Sequence, residues 1–87
     1  KKFIISTDTD RVYLNFKQSN QIALEKISLA QAMQYSKEKH FLAGSMGPKV
    51  EAAIDFVSNG GEEAIITQPE LLVDAMNGTA GTRVVKE

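Results

Sequence analysis

Cysteine is missing from this sequence, and histidine occurs once, at His40. The first absence excludes disulfides and thiolate metal sites and leaves a reducing cytoplasm as the expected setting. The second leaves His40 with no histidine or cysteine partner, so no metal site is expected there, although a surface proton-transfer role stays open. Charge of one sign is missing too: 10 basic side chains face 11 acidic ones, for a net of −1, with no long run of either. Nucleic-acid binding through phosphate neutralisation is therefore not expected. No apolar run approaches the ~20 residues of a membrane helix and no signal-peptide pattern is visible, so a soluble globular segment is expected, without a membrane partner. An initiator methionine is also lacking. The chain opens Lys1-Lys2-Phe3-Ile4-Ile5 and enters a buried-looking strand almost at once. With 87 residues it is one small domain or a piece of a larger one, and a domain of that size buries only about 60–65% of its unfolded surface. A piece of a larger protein is the expectation.

What is present reads as alternating strands and helices. Phe3 to Ser6 is a mostly apolar strand of the kind buried in parallel sheets. It ends at Thr7-Asp8-Thr9-Asp10-Arg11, where two carboxylates could ligate Mg²⁺ or hydrogen-bond a ribose, or could simply cap the turn. Val12 to Phe16 alternates and reads as a half-buried strand, with Tyr13 either an aromatic shelf for a base or a rim packing residue. Ile22 to Leu24 could start a turn or strand. Ser28 and Gln31 form a capping box for a helix to about Glu38 that buries Leu29, Ala32 and Met33. After Gly44-Ser45-Met46-Gly47-Pro48-Lys49, a helix runs with Pro48 at its first position and Lys49 at its second. Its apolar stripe is Val50, Ala53, Ile54 and Val57, and Asn59-Gly60-Gly61 ends it. Ala64 to Thr67 is a second buried strand. Thr67-Gln68-Pro69-Glu70 reads as another capping box, opening a helix that buries Leu72, Val73, Ala75 and Met76. Asn77-Gly78 closes that helix, and Arg83 to Val85 is a last strand. The order implies an α/β fold, a mostly parallel sheet with flanking helices.

Gly44 to Lys49 is physically suited to a phosphate. Backbone N–H groups point outward from a partially positive helix start, and Lys49 adds a full charge. It is not a Walker A loop, because Pro48 separates Gly47 from Lys49 and Val50 follows where Ser or Thr is needed. No dinucleotide fingerprint occurs either. By spacing alone, Lys49 could equally be a solvated helix charge.

The run Gly44-Ser45-Met46-Gly47-Pro48-Lys49-Val50-Glu51-Ala52-Ala53, then Ala64-Ile65-Ile66-Thr67, then Gly78-Thr79-Ala80-Gly81-Thr82-Arg83-Val84-Val85, resembles the C-terminal part of the carbamate kinases within the amino acid kinase family. Thr7 to Phe16, with Asn20-Gln21, resembles the same family's Thr-Asp-Val loop and the segment after it. The resemblance covers nearly the whole chain. Thr9 departs from the family's usual valine, and Ser19 from its usual proline.

The resemblance implies that residues 1–87 are the C-terminal nucleotide-binding segment of a three-layer amino acid kinase-like sandwich, with the N-terminal half absent. It implies a Mg²⁺-dependent phosphotransferase, making ADP and carbamoyl phosphate from ATP and carbamate or running in reverse. It further implies arginine catabolism, a cytoplasmic homodimer, and carbamate or carbamoyl phosphate held by the missing half. Lys49 would contact the phosphates with Gly47 and Pro48 beside it. Met46 would pack on the adenine, Asp8 would lie by the ribose, and Tyr13 is a weaker candidate for the same pocket. No metal held by protein side chains is expected, and the catalytic groups lie outside the chain, which should not catalyse transfer alone. The alternative is a noncatalytic nucleotide-sensing or assembly domain of the same fold.

Overall fold

The computed structural model describes residues 2–15, 19–38, 41 and 46–86. His40, Gly44 and Ser45 lie outside the described residues. In chain order the elements are β1 (Lys2–Ser6), β2 (Val12–Leu14), β3 (Ile22–Leu24), β4 (Lys26–Ser28), α1 (Leu29–Lys37), α2 (Met46–Ser58), β5 (Glu63–Thr67), a 3₁₀ turn (Pro69–Leu71), α3 (Leu72–Met76) and β6 (Thr82–Val85). Four strands form one sheet in the order β1-β5-β6-β4, and β2 and β3 form an antiparallel pair of their own.

The large sheet is mostly parallel, as expected. β1 runs with β5 and β4 with β6, while β5 and β6 are antiparallel. The reversal follows from the short connection, because the 3₁₀ turn and α3 turn the chain back along the neighbouring edge instead of carrying it across the sheet.

α2 closes one face. Val50, Ala53, Ile54 and Val57 are all buried, as their spacing predicts, and share a core with Ala64, Ile66 and Val84 of the sheet. α1 packs beside α2, and its capping box forms as read: Ser28 Oγ accepts from the Gln31 amide at 3.1 Å, and Gln31 Oε1 accepts from the Ser28 amide at 2.9 Å. Strand alternation turns Glu63, Ile65 and Thr67 to the opposite face, towards α3.

Several local expectations are corrected. α2 already includes Met46 and Gly47, so Pro48 and Lys49 are not its first and second residues. Proline is tolerated there because first-turn N–H groups have no intrahelical partner. Met33 is exposed rather than core, because α1 turns Ala32 to the sheet and leaves Met33 outward. β2 stops at Leu14, since Asn15 takes a φ of 53° that no strand continues through. No capping box forms at Thr67; Gln68 holds the cap position without a side-chain bond, because Thr67 is still in the strand with its side chain turned inward. Of the four apolar residues expected to be buried in α3, only Ala75 is; one short turn of helix can seat one side chain on the sheet, and Leu72, Val73 and Met76 face outward.

Candidate functional site

α2 leads back into β5 through residues 59–62, so the two elements run in opposite directions. The Phe56 ring, near the end of α2, lies 5.2 Å from the Phe3 ring, near the start of β1. The first turn of α2 therefore lies towards the other edge of the sheet. A helix of 13 residues spans about 20 Å, against about 17 Å for a five-residue strand, so that turn reaches the level where β1 and β5 end and β6 begins. In α/β proteins this edge, at the carboxyl ends of parallel strands, is where ligands sit.

Met46, Gly47, Pro48 and Lys49 occupy that first turn. Met46 is half-buried and packs against the core, which fixes its thioether at the rim. Gly47 cannot carry a side chain: a Cβ there would stand 2.7 Å from the Phe41 carbonyl oxygen, a backbone atom with little room to move. Pro48 is exposed and Lys49 half-buried. The turn holds no acidic residue, so with Lys49 it is positive, the reverse of the charge that favours a helix start but the sign that suits an anion.

Asp8 reaches the same edge from β1. The ladder extends one residue past the strand, with the Thr7 amide donating to the Thr67 carbonyl at 3.0 Å. Gln68 Nε2 then donates to the Asp8 carbonyl at 3.1 Å. These bonds hold the backbone of Asp8, while its carboxylate is exposed and bonded to no described residue. Asp10 is used differently: Tyr13 Oη donates to its Oδ1 at 2.8 Å. That bond, then burial, raises the Tyr13 phenol above its ordinary 10.0. Tyr13 is therefore tied to the turn and sits on the separate β2–β3 pair, while Asp8 and the α2 turn belong to the main sheet.

Two surface clefts lie elsewhere. A groove of about 630 Å³ between α1 and α2 is lined by Met33, Gln34, Glu51 and Ile54 among others. A cleft of about 390 Å³ on the α3 face includes Arg11, Lys26, Glu63, Gly81 and Arg83. Among the described residues, no three of His, Cys, Asp and Glu converge as metal ligands.

Sequence reasoning missed the residues that build this edge from below. Thr82, given no role of its own in the run from Gly78 to Val85, is fully buried; its hydroxyl donates to the Leu24 carbonyl and accepts from the Val12 amide at 2.8 Å. Thr67 Oγ1 is buried with no partner among the described residues. Gly81 takes a φ of 75°, and a Cβ there would stand 2.9 Å from the Ile66 carbonyl oxygen. The Gly-Thr pair at 81–82, following a small-residue run, was the available signal for a close backbone approach.

On the α3 face, Arg83 Nη1 donates to both Glu63 carboxylate oxygens at 2.8 Å, and its Nη2 to the Ala75 and Met76 carbonyls at the end of α3. Lys2 Nζ lies 3.3 Å from Glu63. Burial pushes the Glu63 carboxyl up, but bonds from Arg83 and Lys2 outweigh it and hold the group below its ordinary value.

The amino acid kinase family profile matches residues 1–68. The chain is 44% identical over 84 residues to carbamate kinase from Giardia intestinalis, covering 97% of this chain and 26% of that protein. It is 50% identical over 82 residues to carbamate kinase 2 from Enterococcus faecalis, covering 93% of this chain and 26% of that protein. Carbamate kinase from Giardia lamblia bound to AMP-PNP superimposes with a TM-score of 0.94 at 43% identity, over 99% of this chain and 30% of that one. The chain thus spans about a quarter of the length of the curated relatives it matches. No described helix is long and apolar enough to cross a membrane. By sequence and by fold, the chain belongs to the amino acid kinase family.

Proposed function

We propose that this chain is the nucleotide-binding portion of a carbamate kinase-like phosphotransferase that interconverts ATP plus carbamate with ADP plus carbamoyl phosphate. The observation that carries this reading is the near-complete backbone overlap with a carbamate kinase bound to a nucleotide analogue. The local chemistry at the sheet edge supports it.

In this reading the α2 turn holds the phosphates. Its outward N–H groups and the Lys49 ammonium supply positive charge, and Gly47 keeps the turn close to Phe41. Pro48 fixes the backbone where a missing N–H is harmless. Met46 offers a polarizable thioether to the adenine. Asp8, with its backbone held by Gln68 and its carboxylate exposed, faces the ribose, and Tyr13 flanks the pocket through its bond to Asp10. Mg²⁺ would supply charge neutralisation of the phosphates when bound, as an ion carried by the nucleotide.

Carbamate and the groups around the transferring phosphoryl are assigned to the remaining length of such a protein. Transfer needs charge from both sides of the moving group, so the chain alone is expected to bind nucleotide without catalysing. The edge of β1 that pairs with no strand among the described residues and the outward Phe3, Ile4, Leu72, Val73 and Met76 are surfaces that remaining length would cover. A cytoplasmic homodimer serving arginine catabolism comes with the resemblance alone. A coupled assay for ATP formation from carbamoyl phosphate and ADP, run on the full-length protein, tests the reading. ATP formation supports it. ADP binding without turnover supports a noncatalytic nucleotide domain, and neither activity would overturn both.

A further inference from the structure

The β2–β3 pair shares no strand ladder with the main sheet. β3 nevertheless has a firm anchor, since two residues later the chain becomes β4 and pairs with β6. β2 has no such continuation. It follows the polar turn from β1 and ends at Leu14, before the positive φ of Asn15. Three kinds of tie from β2 and its turn to the rest of the molecule can be compared among the described residues. Arg11, just before β2, reaches the Thr79 carbonyl at 3.3 Å and Glu25 at 3.7 Å. Glu25 is 80% exposed, and pairs of that kind contribute little in water. Val12, Leu14 and Leu24 add apolar packing, which is not directional.

A buried directional tie is the Thr82 hydroxyl. Val12 and Leu24 face each other across the β2–β3 pair. Thr82 Oγ1, entirely buried, accepts from the amide of the first and donates to the carbonyl of the second. One oxygen at the start of β6 thus ties both β2 and β3 to the main sheet. The residues on either side of Val12 in β2 and its turn are Asp10-Arg11 and Tyr13, the last bonded to Asp10.

We infer that Thr82 is a positioning residue for nucleotide recognition, its hydroxyl holding β2 so that Asp10 and Tyr13 stand at the nucleotide edge. The inference rests on the nucleotide-binding reading above. Valine at this position keeps the shape and loses both hydrogen bonds, leaving two buried backbone groups without their partner. Serine keeps the hydroxyl. Cysteine lies between, with a weak donor and acceptor.

The test is steady-state kinetics of ATP formation in the full-length protein, for Thr82→Ser, Thr82→Cys and Thr82→Val. The KM for ADP is expected to rise in that order, reaching about tenfold in the valine variant. The KM for carbamoyl phosphate stays at its original value, and serine restores near-normal ADP affinity. A role confined to stability would move the unfolding midpoint and leave both KM values alone, and that result overturns the inference while leaving the kinase reading intact. If the valine variant does not fold, the cysteine variant decides by the same split between the two KM values. Failure of the unsubstituted protein to use ADP at all would overturn the kinase reading, and this inference with it.

Discussion

The two faces of the sheet are closed by different means. On one, α2 lays four buried apolar side chains over Ala64, Ile66 and Val84. On the other, α3 seats only Ala75, and the closure is polar: Arg83 joins Glu63 on β5 to the carbonyl end of α3. A face closed by apolar burial is insensitive to pH and salt, whereas one closed by an ion pair is sensitive to both. The α3 face also leaves Leu72, Val73 and Met76 outward, so it is the more open of the two.

The largest effect should come from the α2 face. Ile66→Ala removes a fully buried side chain and should destabilise the fold by about 3 kcal/mol; a loss below about 1 kcal/mol in chemical denaturation would mean that this face is not the main source of stability.

Glu63→Gln comes next. It leaves Arg83, whose side chain is 17% exposed, without its carboxylate, at a cost of about 2 kcal/mol. The same ion pair predicts a pH dependence of the unsubstituted chain. The folded Glu63 pKa is depressed, so its contribution is complete above the ordinary 4.5 and is lost as pH falls from there through the folded value. Denaturation midpoints measured between neutral and acid pH should show this decline, and Glu63→Gln should flatten it. An unchanged pH profile in the variant would assign the acid sensitivity elsewhere.

The smallest effect is the one that sharpens the comparison. Val73 is 71% exposed, so Val73→Ser in the chain alone should change stability by less than about 0.5 kcal/mol. In the full-length protein the same substitution should cost about 1 kcal/mol or more if other segments cover α3. Equal values in both settings would show that the α3 surface stays open.

The helix-covered face was largely legible in the sequence, and the other was not. Val50, Ala53, Ile54 and Val57 repeat at helical spacing over about two turns, and Ser28 with Gln31 marks a helix start by side-chain chemistry; both signals are local and survived folding. α3 offers too few residues for periodicity to say which side faces in, so Leu72, Val73 and Met76 were placed wrongly. At Thr67 and Glu70 the capping-box pattern was present, but the sheet pulled Thr67 into β5 and left its hydroxyl beside Gly81. In the candidate site, Met46 to Lys49 and Asp8 were legible as chemistry. That both reach one edge follows from the antiparallel run of α2 and β5. Thr82 was invisible because its partners, Val12 and Leu24, are backbone groups brought close only by the fold.

The central claim is that the first turn of α2 holds nucleotide phosphates through Lys49. Kinetics of Lys49→Ala in the full-length protein address it most directly. The account predicts that kcat/KM for ADP falls at least about tenfold through loss of a charged contact, with the KM for carbamoyl phosphate unchanged. Full activity towards ADP in that variant would contradict it.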